Sequence, residues 1–306
     1  MSRRLRFIPE CGALVEVTCR TVQGRHLLRP SSQLNEIIVG VLGRAQRLYD
    51  VPICAFVFLS SHYHLLLDVR DARQLSSFMR YFNSNLAREA GRLADWSDGT
   101  WSRRYQAIVV SSEEEAQVAR LKYILGHGVK EGLTERPRDW PGVHVARALV
   151  DGEPFQGYWF SRTQEYAARQ RGEQFDRLQY ATPETVVLSP LPCWKHLPAD
   201  VWKNRTLNVI TQIETEAAAR RARTGSQPLG VAAILGKHPH HRPARLKKSP
   251  APLFHAIRQS VRQGLYEGYA WFVAAFRQAA EKLKAGDRNA AFPAGCFPPA
   301  LPFVGG

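Results

Sequence analysis

Two histidines separated by one residue, His62 and His64, lie within an apolar run from Phe56 to Leu67. If that run is a strand, side chains alternate with period two. Both imidazoles then leave one face, and Tyr63 joins the apolar set on the other. Two neutral imidazoles at that spacing converge on one divalent ion, which suits metal-assisted phosphate chemistry. A buried strand carrying two hydrogen-bonded core histidines would read the same way, and the pair alone does not separate these cases. Further on, Tyr123 and His127 stand four residues apart, one turn of a helix. A phenol that acts as nucleophile must sit beside the metal that polarises its target, and a third ligand one turn away sets that distance. A core tyrosine on an amphipathic helix would have the same spacing.

The elements that must position these side chains are readable from periodicity. Gly12–Thr21 alternates as a strand, and Ser32–Tyr49 carries Leu34, Ile37, Ile38, Val41, Leu42 and Leu48 at helical spacing. Pro52–Leu59 and His62–Val69 form two strands joined by a tight turn at Ser60-Ser61. Arg73–Leu93 is a helix with Leu75, Phe78, Met79, Phe82 and Leu86 as its stripe, and Tyr105–Val110 is a fourth strand. The order β-α-β-β-α-β predicts an α+β fold, a ferredoxin-like split unit, with the tyrosine helix following it. Ser112 and Glu115 predict a capping box at the start of that helix, and Glu113–Glu115 suit its positive end. Gly126 and Gly128 predict that the helix bends or frays around His127.

In order and spacing, residues from Arg3 to about Trp140 resemble the catalytic domain of the single-tyrosine HUH transposases, and among them the REP-associated tyrosine transposases of bacteria. The matching pieces are the basic start with the Gly12–Thr21 strand, the His62-Tyr63-His64-Leu65-Leu66-Leu67 core, Trp101-Ser102-Arg103-Arg104-Tyr105, and Leu121-Lys122-Tyr123-Ile124 running into Val129-Lys130-Glu131-Gly132-Leu133. Where that family usually has an amide side chain four residues after the tyrosine, this chain has His127. The resemblance implies a metal-dependent single-strand DNA endonuclease and strand transferase. Tyr123 would form a 5′-phosphotyrosine, with His62, His64 and His127 holding Mg²⁺ or Mn²⁺. Imidazole ligands favour Mn²⁺, because Mg²⁺ prefers oxygen. It implies hairpin or palindromic DNA as substrate, with Arg3, Arg4 and Arg6 at the stem or its flank. Trp101, Arg103, Arg104 and Tyr105 offer stacking and phosphate contacts suited to unpaired bases, although Trp101 and Tyr105 read equally as core aromatics, and Lys122 is a further expected DNA contact. The alternative is a domesticated DNA-binding regulator that keeps the fold and cuts nothing. A barrel amidohydrolase, which also uses a His-x-His strand, needs repeated βα units that the first half does not supply.

Composition adds a partner class. The 306-residue chain is 44% hydrophobic, enough for two cored parts, and its formal net charge of +15 favours an anionic polymer. No apolar stretch reaches the length of about 18 residues that spans a membrane, and the N-terminus lacks the apolar core of a signal peptide. The five scattered cysteines contain no Cys-x-x-Cys pair and predict a reducing cytoplasm. Residues 1–140 are read as the catalytic domain, 141–160, rich in Pro, Gly and aromatics, as a linker, and 161–306 as a mainly helical basic extension that binds DNA. Glu165–Gln179, Ala199–Arg223 and Leu253–Lys284 read as its helices. From 217 to 263 the chain holds ten Lys or Arg and no Asp or Glu. Its Lys237–Pro250 stretch reads as an extended basic arm whose Arg242, Arg245, Lys247 and Lys248 contact phosphate. His238, His240 and His241 lie in that arm without Cys or Asp neighbours to complete a metal site. With the extra DNA contact in one chain, a monomer is expected, whereas the smallest transposases of this kind are dimers.

Overall fold

The computed structural model describes residues 4–152, 154–244 and 252–300. Arg3 and the arm residues Arg245, Lys247 and Lys248 lie outside the described residues. Strand β1 (Ala13–Arg20) alternates Val15, Val17 and Cys19 with Glu16, Thr18 and Arg20. It pairs antiparallel with β3 (His62–Val69) on one side and β4 (Gln106–Val110) on the other. β2 (Ile53–Leu59) pairs with β3 as the expected hairpin, giving the order β2-β3-β1-β4.

Helices α1 (Ser32–Tyr49) and α2 (Ala72–Leu93) start where Ser31 and Asp71 accept hydrogen bonds from Leu34 N and Gln74 N, at 3.2 and 2.7 Å. Their apolar stripes are buried, and each such side chain contributes about 1.5–3 kcal/mol on leaving water. Tyr63 points toward α2, edge-on to Phe82 and bonded to Asn83. The neighbouring His62 and His64 therefore face the opposite side of the sheet, where α3 (Glu114–Leu125) lies.

The Ser112–Glu115 capping box does not form: the N-cap of α3 is Glu113. Its carboxylate accepts from Ser111 Oγ at 2.7 Å, Ile257 N and Arg258 N at 3.0 Å, and Arg258 Nε at 2.8 Å. Four donors on one carboxylate outweigh what a local box offers. They also anchor the segment that was expected to begin one long helix at Leu253. Phe254–His255 is instead a strand, running parallel to β4 as the fifth of the sheet, and the helix starts at Gln259.

The expected linker 141–160 is folded against the first half. It holds α4 (Val145–Asp151) and β5 (Phe155–Phe160), and β5 pairs with β6 (Ala181–Val186). Its glycine has a packing role: a methyl group on Gly157 would overlap Glu36 O and Gly40 N of α1, and one on Gly40 would overlap the Tyr158 backbone. Arg44 and Arg47 of α1 grip Glu184 of β6, and Arg177 bridges Glu89 of α2 and Glu165 of α5 (Arg162–Gln170). Helix α6 (Ala199–Thr224) forms as expected, followed by α7 (Val231–Leu235) and the final α8 (Gln259–Lys284). Buried apolar residues from Ile8 to Phe254 make one contiguous cluster. Among the described residues, no helix is long and apolar enough to cross a membrane.

Replacing Gly157 with Ala should destabilise the protein by about 1–3 kcal/mol, because α1 and β5 must separate to admit a methyl group. Urea unfolding monitored by Trp fluorescence measures it, and unchanged stability would refute the close packing. Glu113 gives a second expectation. The Ser111 hydrogen bond, then that of Arg258, lowers its pKa to about 2. A carboxyl depressed in the folded state contributes stability above its unfolded pKa and loses it as pH falls toward 2. The stability of Glu113→Gln, read as the urea midpoint at a series of pH values, should therefore fall less steeply below about pH 4.3 than that of the parent.

Candidate active site

The polar face of the sheet is set by β-strand alternation. In register, Thr18 lies opposite His64 and Arg20 opposite His62, so Glu16, Thr18 and Arg20 share a face with both histidines. Helix α3 packs over this face and brings Tyr123. His127 lies just past the helix end, where the chain continues to turn: Gly126 N bonds Lys122 O at 2.9 Å and His127 N bonds Ile124 O at 3.2 Å. Gly128 then reverses the chain at φ +98°, a conformation open to glycine, and donates its N–H to Glu131 Oε2 at 2.7 Å.

Three imidazoles meet as a result. Ring centroids are 5.4 Å apart for His62 and His64, 5.1 Å for His62 and His127, and 4.4 Å for His64 and His127. The Tyr123 ring is 5.6 Å from that of His64 and 5.3 Å from that of His127. His62 and His64 on the strand thus stand next to Tyr123 and His127 across the bend.

Two residues that the sequence reading missed complete the arrangement. Glu16 is 1% exposed. Its Oε1 lies 2.9 Å from His64 Nδ1, and its Oε2 accepts from an Arg120 guanidinium nitrogen at 2.6 Å. The carboxylate fixes the His64 tautomer, with Nδ1–H donating and Nε2 left for a ligand. Arg120 also lies 5.0 Å from the centre of the Tyr123 ring. A single buried acid therefore joins the histidine strand to the tyrosine helix. The available signal was the polar alternation of residues 16, 18 and 20, together with the helical spacing of Arg120 and Tyr123.

The electrostatics suit metal ligation. Burial first, then the neighbouring His64, His127 and Arg20, holds His62 well below its ordinary pKa, and burial followed by His64 lowers His127 to about 3. Both are neutral at pH 7, as imidazole ligands must be. Burial tends to raise the pKa of Glu16, but its bonds to His64 and Arg120 outweigh this and leave it below the ordinary carboxylate value. Burial, then Glu16 and Glu131, raises that of Tyr123, against the opposing effect of Arg120 and Arg20.

The three histidines offer ligand atoms that all lie within 4.8 Å of one another. His62 Nε2 and His127 Nε2 are 2.8 Å apart, close to the spacing of about 3 Å that metal–nitrogen bonds of about 2.1 Å require. His127 Nδ1 is buried without a hydrogen bond, 3.8 Å from Glu131 Oε1. The donor set fits a divalent transition-type ion, and the carboxylate behind His64 is the support such ligands carry. His238, His240 and His241 do not form a comparable group: His240 Nε2 bonds Ala94 O at 2.6 Å, and its backbone N–H bonds His238 Nδ1 at 3.1 Å.

The other expected contact residues are dispersed. Arg6 stacks 4.2 Å from the Tyr105 ring centre, its pKa lowered to about 9 by burial and by Arg104. Trp101 donates its indole N–H to Asn83 O at 3.0 Å and lies edge-on to Tyr63, so its ring packs against the core. Arg4, Arg103 and Arg104 are exposed, Lys122 pairs with Glu216 at 2.6 Å, and Arg242 is exposed in the described part of the arm.

No family model matches the sequence, and no curated protein matches it. Among solved structures, the chain is similar to a REP-associated tyrosine transposase bound to a REP hairpin, at 20% identity and a TM-score of 0.41, over 51% of this chain and 90% of that one. It is also similar to a protein of Deinococcus radiodurans R1 assigned as a transposase, at 15% identity and a TM-score of 0.28, over 39% of this chain and 94% of that one.

Calorimetric or EPR titration with Mn²⁺ should show an ion bound at the three histidines, with His64→Ala abolishing it. Glu16→Gln should weaken Mn²⁺ binding by about 10–100-fold, the usual cost of losing a carboxylate behind a ligating histidine. Parental affinity in Glu16→Gln would remove the supporting role assigned to that carboxylate.

Proposed function

We propose that this chain is a metal-dependent single-strand DNA endonuclease and strand transferase of the single-tyrosine HUH type. Residues 1–140 are its ferredoxin-like catalytic unit, and 161–306 a basic, mainly helical extension that contacts DNA. The observation that carries this reading is the Tyr123 ring standing against His64 and His127, two of three imidazoles whose ligand atoms converge. A tyrosine needed only for packing has no reason to lie over a polar, histidine-lined face of the sheet.

In this reading Tyr123 Oη attacks a backbone phosphorus. The new O–P bond forms as the bond to the 3′ oxygen breaks. The phenolic proton passes to solvent and the departing 3′ oxygen takes one up. The product is a 5′-phosphotyrosine and a free 3′-OH, and a second 3′-OH reverses the step to join new ends without an external energy source. His62, His64 and His127 would hold Mn²⁺ or Mg²⁺, which supplies Lewis-acid stabilisation of charge on the phosphate oxygens. Arg120 and Lys130, 5.0 and 5.2 Å from the Tyr123 ring centre, put two cations beside that ring, Arg120 sharing its charge with Glu16. Glu16 holds Arg120 and His64 in that relation.

The resemblance in the first half favours hairpin or palindromic DNA, with the basic start at the stem and unpaired nucleotides led toward Tyr123. The chain acts as a monomer in this reading, its second half taking the place of a partner subunit.

A labelled single-stranded oligonucleotide bearing a hairpin should form an SDS-stable adduct with the parent protein and Mn²⁺, and none with Tyr123→Phe. Hairpin DNA should shift at lower protein concentration than duplex. Adducts persisting in Tyr123→Phe would mean that another residue is the nucleophile, and binding without adducts at any metal would favour the regulator.

A further inference from the structure

A cleft of about 220 Å³ opens between the loop that follows His127 and the end of α6. One wall carries Lys130 and Glu131. The Lys130 ammonium is 5.2 Å from the Tyr123 ring centre, and Glu131 Oε1 is 3.8 Å from His127 Nδ1, so these two residues border both the cleft and the candidate active site. The other wall comes from the second half of the chain, through Arg220, Arg221, Ser226 and Gln227. The two walls are fastened together. Arg220 donates to Val129 O at 3.0 Å, Leu229 N to Gly132 O at 2.8 Å, and Gly230 N to Leu133 O at 3.0 Å.

Charge and size point to one kind of occupant. Three cations, Lys130, Arg220 and Arg221, line it with one acid, Glu131, which already accepts from Gly128 N; Arg221 also pairs with the exposed Glu135 at 3.4 Å, a contact that a phosphate would compete for. The cleft is smaller than the roughly 300–1,000 Å³ of pockets that enclose drug-sized ligands, and it suits a single nucleotide of a longer strand. Ser226 and Gln227 are exposed at its edge and offer hydrogen-bond donors and acceptors to a base.

We infer that this cleft binds the nucleotide of a DNA strand that neighbours the phosphodiester attacked by Tyr123, with its phosphate toward Lys130 and Arg221 and its base toward Ser226 and Gln227. The inference rests on the function proposed above for Tyr123. It makes the second half of the chain part of the substrate site.

The test uses the full-length Tyr123→Phe protein, so that binding is read apart from chemistry. Single-stranded oligonucleotides carrying one neutral methylphosphonate at successive positions are titrated by fluorescence anisotropy. One position should weaken binding by about tenfold and lower the salt slope by about one, and that penalty should vanish when Arg221→Ala is added. Ser226→Trp, which fills the cleft from an exposed position, should lower affinity about tenfold with an unchanged melting temperature. Parental affinity in Ser226→Trp, or a methylphosphonate penalty that survives Arg221→Ala, overturns the inference. Adduct formation by the chain with Tyr123 intact is scored separately. Cleft-dependent binding without adducts leaves the binding site standing and sinks the reaction, whereas adducts with cleft-independent binding sink the site alone.

Discussion

The arrangement of the candidate active site depends on one buried charge. Glu16 is almost wholly removed from water, and an isolated carboxylate there would cost several kcal/mol. It stays ionised because an imidazole on β3 and a guanidinium on α3 each take one of its oxygens. Both partners are required, and each belongs to an element carrying a reacting or ligating side chain. The distance from Tyr123 to the histidines is therefore fixed by the need to satisfy Glu16, in addition to the apolar packing of α3.

The same device recurs throughout the molecule. Glu89, Glu113, Glu165 and Glu184 are also buried, each paired with arginine, and they join α2 to α5, α3 to the fifth strand, and α1 to β6. The chain holds 27 acidic residues against 42 basic ones, and these acids are spent on internal ties. Because each tie takes up arginine as well as acid, the formal excess of +15 is left to the rest of the molecule, which suits a polyanionic partner.

The two halves form one packed body because α1 serves both. One side of it contributes to the core beside α2, and the other meets β5 and β6 through contacts that Gly40, Gly43 and Gly157 make close enough for backbone to touch backbone. A segment dense in glycine, proline and aromatic residues looks like a connector, yet here its glycine allows approach to a helix and its aromatics cover that helix.

Local periodicity was enough to read α1, the β2–β3 hairpin, α2 and α6, since amphipathic spacing and turn residues act over a few positions. It was also enough to bring His62, His64, Tyr123 and His127 under suspicion, because alternation on a strand and one turn of a helix are short-range geometry. For Glu16 the alternation of β1 marks only the face it occupies: its partners are 48 and 104 residues away, and nothing local distinguishes a buried acid from a solvated one. The lost capping box has the same origin, since Glu113 found donors 144 and 145 residues on that outcompete Ser112 and Glu115. Residue type and local spacing are enough to pick out the side chains that could do chemistry and the elements that carry them. How those side chains meet follows from long-range packing, because buried charge must find its counter-charge wherever the fold brings it, at separations that no local pattern records.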